Sequence, residues 1–222
     1  MIMKRISILV AFIACTLFLS AQDVTKFLGI PVDGFKPEMK RALIAKGFTY
    51  DSANDCFEGE FNGNDVYVFI VTNNNKVCRI MLIDKYDRDE SGIINRFNTL
   101  CSQFERNNKY QKLDEESFII PETEDIGYNM LVDHKSYEAV YLQMPDIAKF
   151  DNDMLLKMMK NMYGDDFEVS DPNDFEKVKD LLYRRNLLSN NVWFKISKGD
   201  YGKYRIAMYY DNEYNRANGE DL

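Results

Sequence analysis

Six residues, Asp87-Arg88-Asp89-Glu90-Ser91-Gly92, carry a pattern that could hold a cation. Asp87, Asp89 and Ser91 fall at positions 1, 3 and 5 of a calcium loop, and Gly92 at position 6, where such loops turn sharply. Ile94 fills the apolar slot at position 8. Position 12 is Asn98 rather than the bidentate glutamate such loops use, and a strand rather than a helix leads in. The plainer reading is a strand-to-helix turn whose acids suit the positive end of the helix dipole.

Other chemistries find less support. His134, the one histidine, lies in an apparent turn, and no serine or cysteine stands at a spacing that would make it a catalytic base. The acid pairs Glu58/Glu60, Glu122/Glu124 and Asp165/Asp166 could serve a hydrolase that holds two carboxylates across a cleft. A solvated face is the plainer account of such pairs in an acidic chain. Cys56, Cys78 and Cys101 show no metal-ligand spacing and read as small apolar residues, with one bridge and one free thiol as the alternative. No phosphate loop, dinucleotide fingerprint or nucleophile elbow occurs, and no cofactor is expected. The fourteen tyrosines are more suggestive. Many lie on strands, where the ring supplies contact area and the hydroxyl a hydrogen bond. Tyr67, Tyr201, Tyr204 and Tyr209, with Trp193, are the candidate recognition residues.

The elements that must position these residues are legible in part. Lys36-Pro37-Glu38 opens a helix that Gly47 stops. Phe57, Gly59 and Phe61 alternate with Glu58 and Glu60 as a strand, and Asn62-Gly63 supplies a tight turn. Residues 65–72 and 76–84 read as two further strands around Asn73-Asn74-Asn75. A helix over 90–107 sets Ile93, Phe97, Leu100, Cys101 and Phe104 on one stripe. Residues 126–133 and 137–144 read as a strand pair, and 151–163 as a helix rich in methionine. A further helix begins at Asp171-Pro172. A closing hairpin over 192–197 and 203–211 sets Tyr204, Ile206, Met208 and Tyr210 on one face.

The N-terminus reads as an export signal over residues 1–21. Lys4 and Arg5 precede the apolar run Ile6 to Leu19, and Ser20-Ala21-Gln22 offers a cleavage site. A minority reading lipidates Cys15. The expected address is therefore periplasmic or secreted. The run is too short to span a membrane, and no later segment is long and apolar enough. Net charge is −8 over 222 residues. An acidic chain with dispersed basic residues argues against nucleic acid and anionic lipid as partners.

The segment FLGIPVDGFKPEMKRALIAKGFTYD, the following EGEFNGNDVYVFIVTNNNKV and the ending RIAMYYDNEYNRANGEDL resemble a recurring type of exported protein in Bacteroides-like gut bacteria. The resemblance implies an envelope address and a mixed α/β fold, and it carries over no activity, cofactor or functional residue. In outline the helix-plus-meander unit is also similar to small exported inhibitor-like modules such as the β-lactamase-inhibitor-like fold.

These readings give an α+β expectation: helices packed on antiparallel meander sheets, with two related helix-plus-meander subdomains as one version. The expected divisions are a signal peptide (1–21), a helix–three-strand meander–helix unit (22–112), a second α+β unit (113–212) and a polar tail (213–222). The expected function is a non-catalytic binding or adaptor protein of the cell envelope that recognises a protein or glycan. The alternative is a carboxylate-dependent hydrolase acting on glycan or peptide. The sequence leaves the oligomeric state open.

Overall fold

Two asparagine turns organise the first half of the chain. Asn62 and Gly63 both adopt positive φ (50° and 74°), as do Asn74 and Asn75 (47° and 65°). Such turns match the twist of the strands they join. They link β4 (Cys56–Phe61), β5 (Asn64–Asn73) and β6 (Lys76–Asp84), and β3 (Thr49–Asp51) pairs with the free edge of β4. Side-chain alternation sends Val66, Val68, Ile70, Ile80 and Leu82 to a buried inner face. Tyr67, Phe69, Met81 and Ile83 go to an outer face that is only half-buried.

This computed structural model describes residues 24–112, 117–144 and 190–216, together with positions 156 and 160. The expected signal segment, the helix of 151–163 apart from positions 156 and 160, the helix from Asp171, and the end of the polar tail lie outside the described residues. A second meander comprises β7 (Tyr110–Lys112), β8 (Glu138–Gln143), β9 (Asn191–Lys198) and β10 (Tyr204–Asp211). The last strand of each meander pairs antiparallel with the other, Ala207 opposite Ile83 through Asp211 opposite Arg79. One eight-stranded antiparallel sheet results, in the order β3-β4-β5-β6-β10-β9-β8-β7. A small separate pair, β1 (Lys26–Phe27) and β2 (Ile30–Pro31), precedes it.

The α+β expectation is therefore corrected. The fold is β-rich, one continuous sheet instead of helices packed on two meander sheets, and the three α-helices bounded among the described residues are subordinate. These are α1 (Lys36–Ala45), α2 (Glu90–Glu105) and α3 (Ile126–Leu131). The strand read at 126–133 is α3. Asp125 caps it by accepting from the Tyr128 N–H at 2.8 Å, and the Glu90 carboxylate accepts from the Ile126 N–H. Those partners settle the helix, because the apolar residues of 126–131 fit either period. The short edge strands β3 and β7 were not foreseen.

α2 begins at Asp89, whose side chain accepts from the Gly92 N–H at 2.8 Å. Its buried stripe includes Ile93, Phe97, Leu100, Cys101 and Phe104. Phe97 meets Phe194 of β9 edge-on at 5.2 Å, and Phe104 stacks on Tyr141 of β8 at 4.8 Å. Beneath this apolar contact lies a buried ion pair. Arg96 of α2 reaches both carboxylate oxygens of Asp84 at the end of β6, at 3.1 and 3.2 Å. Both side chains are about 5% exposed. Removing one charge strands the other in a low-dielectric interior, whereas an apolar pair of matching volume costs little. Asp84→Ala is expected to lower stability by about 3–5 kcal/mol in urea unfolding, and the double change Asp84→Leu, Arg96→Met to recover most of that loss.

Candidate functional site

The turn joining β9 to β10 is the most sharply defined projection among the described residues. Gly199 N–H donates to the Lys203 carbonyl at 2.8 Å and Lys203 N–H to the Asp200 carbonyl at 3.0 Å. Between them Tyr201 sits in the left-handed region (φ 53°, ψ 39°). Gly202 follows at φ 71°. A tyrosine has no intrinsic preference for that region, and holding it there costs on the order of 1 kcal/mol. The ring gains no packing in return: Tyr201 is fully exposed, at 102% of its reference area.

Asp87, in the loop between β6 and α2, fixes this projection. Its Oδ2 accepts from the Asp200 N–H at 2.9 Å and from Arg205 at 3.1 Å. The Arg205 Nε lies 2.6 Å from Oδ1, too bent for a hydrogen bond and held by charge. A Cβ on Gly199 would collide with the Asp87 carboxylate, so glycine is what lets the acid approach. Arg88 and Tyr204 exchange backbone hydrogen bonds at 2.7 and 2.8 Å and tie the same loop to the hairpin root. Tyr86 in that loop is also exposed, as are Tyr128, Leu131 and Val132 in and just after α3. α3 belongs to this end of the sheet: a Cβ on Gly127 would come within 3.0 Å of the Tyr204 hydroxyl.

The five candidate recognition residues separate into three environments. Tyr201 is presented to solvent. Tyr204, three residues on, is buried in the core with Ile206, Met208 and Tyr210, and contact with a partner is closed to it. Trp193, Tyr209 and Tyr67 lie on the outer sheet face. Trp193 and Tyr209 are opposed across β9 and β10, their rings stacked 4.0 Å apart at 18°. The Arg79 guanidinium lies 4.9 Å from the Tyr209 ring and binds Asp211, which also accepts from Trp193 Nε1 at 2.9 Å. Lys85 lies over Tyr67 and pairs with Glu58 at 2.5 Å. The polar atoms of this face are thus matched to one another.

The calcium pattern is divided between two tasks. Asp87 belongs to the hairpin latch, Asp89 caps α2, and Ser91 is already within the helix. Among the described residues no group of three or more His, Cys, Asp or Glu side chains is placed to hold a metal. His134 is exposed, at φ 53°. Glu124 accepts from Lys135, Tyr137 and Asn129, and these partners hold its carboxyl below the usual glutamate value. That is the wrong direction for a general acid. Cys56, Cys78 and Cys101 are free and buried, and burial pushes the Cys101 thiol up to about 12.

The role of Arg205 was not foreseen, and Asp87, a calcium candidate by spacing, sits in the strand-to-helix turn that was the plainer reading. The one available signal was Gly199, a glycine before an acid at a hairpin tip. No helix among the described residues is long and apolar enough to cross a membrane. Compared with known proteins, the chain matches no family model, no curated protein and no solved structure.

Burial pushes the Asp87 carboxyl up, but the Asp200 N–H and Arg205 outweigh it, and the net displacement is downward from 3.8. A lowered folded-state value means the latch stabilises fully above the unfolded value and is lost as pH falls through the folded one. The Asp200 amide should therefore be slow to exchange at pH 7 and lose protection only below pH 3.8. Asp87→Asn should cost about 1.5–3 kcal/mol at neutral pH and abolish that acid-dependent step, as read by hydrogen exchange and urea unfolding across pH.

Proposed function

We propose that this is a non-catalytic binding protein of the cell envelope or extracellular space, and that it engages a protein partner through the Tyr201 hairpin. The observation that carries the reading is a fully exposed aromatic ring in a disfavoured backbone conformation, held there by a buried-edge carboxylate from another loop. Strain that gives the fold no packing is characteristic of sites that contact something else. A ring fixed before contact loses little freedom on binding, and tyrosine is among the residues that dominate interface energies. Tyr86, exposed on the loop that carries Asp87, extends the same surface. The envelope address rests on the N-terminal segment, with its basic start, apolar run and small residues before Gln22.

A hydrolase receives less support. Glu58 is paired with Lys85, and Glu124 with Lys135, so each is committed to a cation on its own surface. Catalysis by two carboxylates needs one of them protonated near neutral pH.

Because its ring contacts so little, Tyr201→Ala should change stability by less than about 0.5 kcal/mol. The same change should weaken the purified partner at least about tenfold, roughly 1.4 kcal/mol. The partner is first taken by affinity capture from envelope extract, then measured by calorimetry against wild type, Tyr201→Ala and an exposed control at the far end of β5, Val71→Ala. Equal affinity for all three, or the absence of any protein whose capture depends on Tyr201, rejects this role.

A further inference from the structure

A cleft of about 750 Å³ opens at the β1–β2 hairpin, far from the tip that carries Tyr201. Its walls are Leu28 and Gly29 of that hairpin, the last turn of α2 with the loop into β7, and the end of β8. Tyr210 and Phe61 form an aromatic floor, with Phe104 and Tyr110 packed ring to ring at 4.6 Å beside them. The size lies in the range of small-ligand sites.

Amide side chains supply most of its polar groups, and two cations, Lys26 and Lys109, also stand in its lining. Gln143 is fixed: it accepts from the Lys26 N–H at 2.6 Å, donates to the Lys26 carbonyl at 2.8 Å and donates to the Tyr110 hydroxyl at 3.2 Å. Asn62, Gln103 and Asn108 are exposed on the rim, and their side-chain amides bond to no described residue. Asn190 lies deeper, 1% exposed, and its Oδ1 has no hydrogen-bond partner. Buried polar atoms are almost always paired, so an orphan in a cavity wall points to a group the cavity receives. No carboxylate is present among the described lining residues.

We propose that this cleft binds a neutral oligosaccharide. An amide donates and accepts at adjacent atoms, which matches the neighbouring hydroxyls of a sugar ring, each of them both donor and acceptor. The apolar C–H face of the ring suits an aromatic floor, and amides of this kind need no countercharge on the ligand. The described lining offers groups that hold a glycan and, among those residues, no carboxylate to cleave it by acid–base chemistry. The site is independent of the Tyr201 surface.

The test is an amide-resolved NMR titration of the mature protein with maltotetraose, cellotetraose, mannotetraose and chitotetraose, each to about 10 mM, a range that captures millimolar affinity. Tetragalacturonate is the charged comparison. The expected result is saturable shifts of the Asn190, Gln103 and Asn108 side-chain signals with at least one neutral probe. Gln103→Ala with Asn108→Ala, both exposed changes, should weaken binding about tenfold at unchanged melting temperature, whereas Tyr201→Ala should leave it intact. No shift with any neutral probe, shifts confined to other residues, binding of the tetragalacturonate alone, or affinity indifferent to the double change would each overturn the proposal.

Discussion

Everything in this sheet depends on the pairing of β6 with β10. Five opposed residue pairs join a strand ending at Asp84 to one beginning at Tyr204. Without them the chain would hold two four-stranded meanders, each with a raw edge in place of a centre. Polar contacts reinforce the join from both sides. Arg79 and Asp211 form an ion pair across it, and the Asn212 N–H donates to the Cys78 carbonyl at 2.9 Å. The N-terminal segment is bound in as well: Thr25 Oγ1 donates to the Asp211 carbonyl, and Asn212 Nδ2 to the Val32 carbonyl at 2.7 Å. Such contacts close long loops, so they form late and reward the chain only once both meanders exist.

The joined sheet is strongly coiled. Phe61 ends β4 and Tyr210 lies near the end of β10, at opposite corners by register, yet their rings approach to 6.4 Å edge-on. Phe27 fills the space between them, 5.6 Å from Phe61 and 5.1 Å from Tyr210. Right-handed strand twist, summed from β4 through β5 and β6 to β10, brings these diagonal positions together in this way. Gly59 permits the inward curve, since a Cβ there would meet the Phe48 ring at 2.5 Å. Coiling leaves the two faces chemically distinct. The inner is mainly apolar, interrupted by the Asp84–Arg96 pair and by the cleft beside Phe61 and Tyr210, and the outer carries the Arg79–Trp193–Tyr209–Asp211 cluster.

What could be read in advance follows from how local each determinant is. β5, β6 and β10 were legible because alternation and asparagine turns specify strands within ten residues. α2 was legible from its stripe, and its first turn from Asp89. α3 was misread because one of the two groups that settle it, Glu90, lies 36 residues away, and the other, Asp125, was not read as a cap. The β6–β10 join left no local trace at all. Among the candidate recognition residues, Tyr204 belonged with Ile206, Met208 and Tyr210 on one strand face, an alternation that already argued for the core. Tyr201 lies just before that alternation begins, and its exposure comes from a turn whose conformation depends on Asp87. The amides of the cleft come from four separate segments, and their gathering is a property of the coiled sheet alone.

The three buried cysteines give the folded chain a chemical silence that the unfolded chain lacks. With a value pushed up to about 12, the Cys101 thiol is ionised to about one part in 10⁵ at neutral pH. Burial raises Cys56 and Cys78 above 9.0 as well. Opening the core returns all of them to the ordinary thiol range, and reactivity toward oxidants rises by orders of magnitude. In an oxidising compartment the native state is thus the form without cross-links, and each global opening exposes three nucleophiles at once. In such a compartment mispaired disulfides formed during those openings would trap the chain outside its fold.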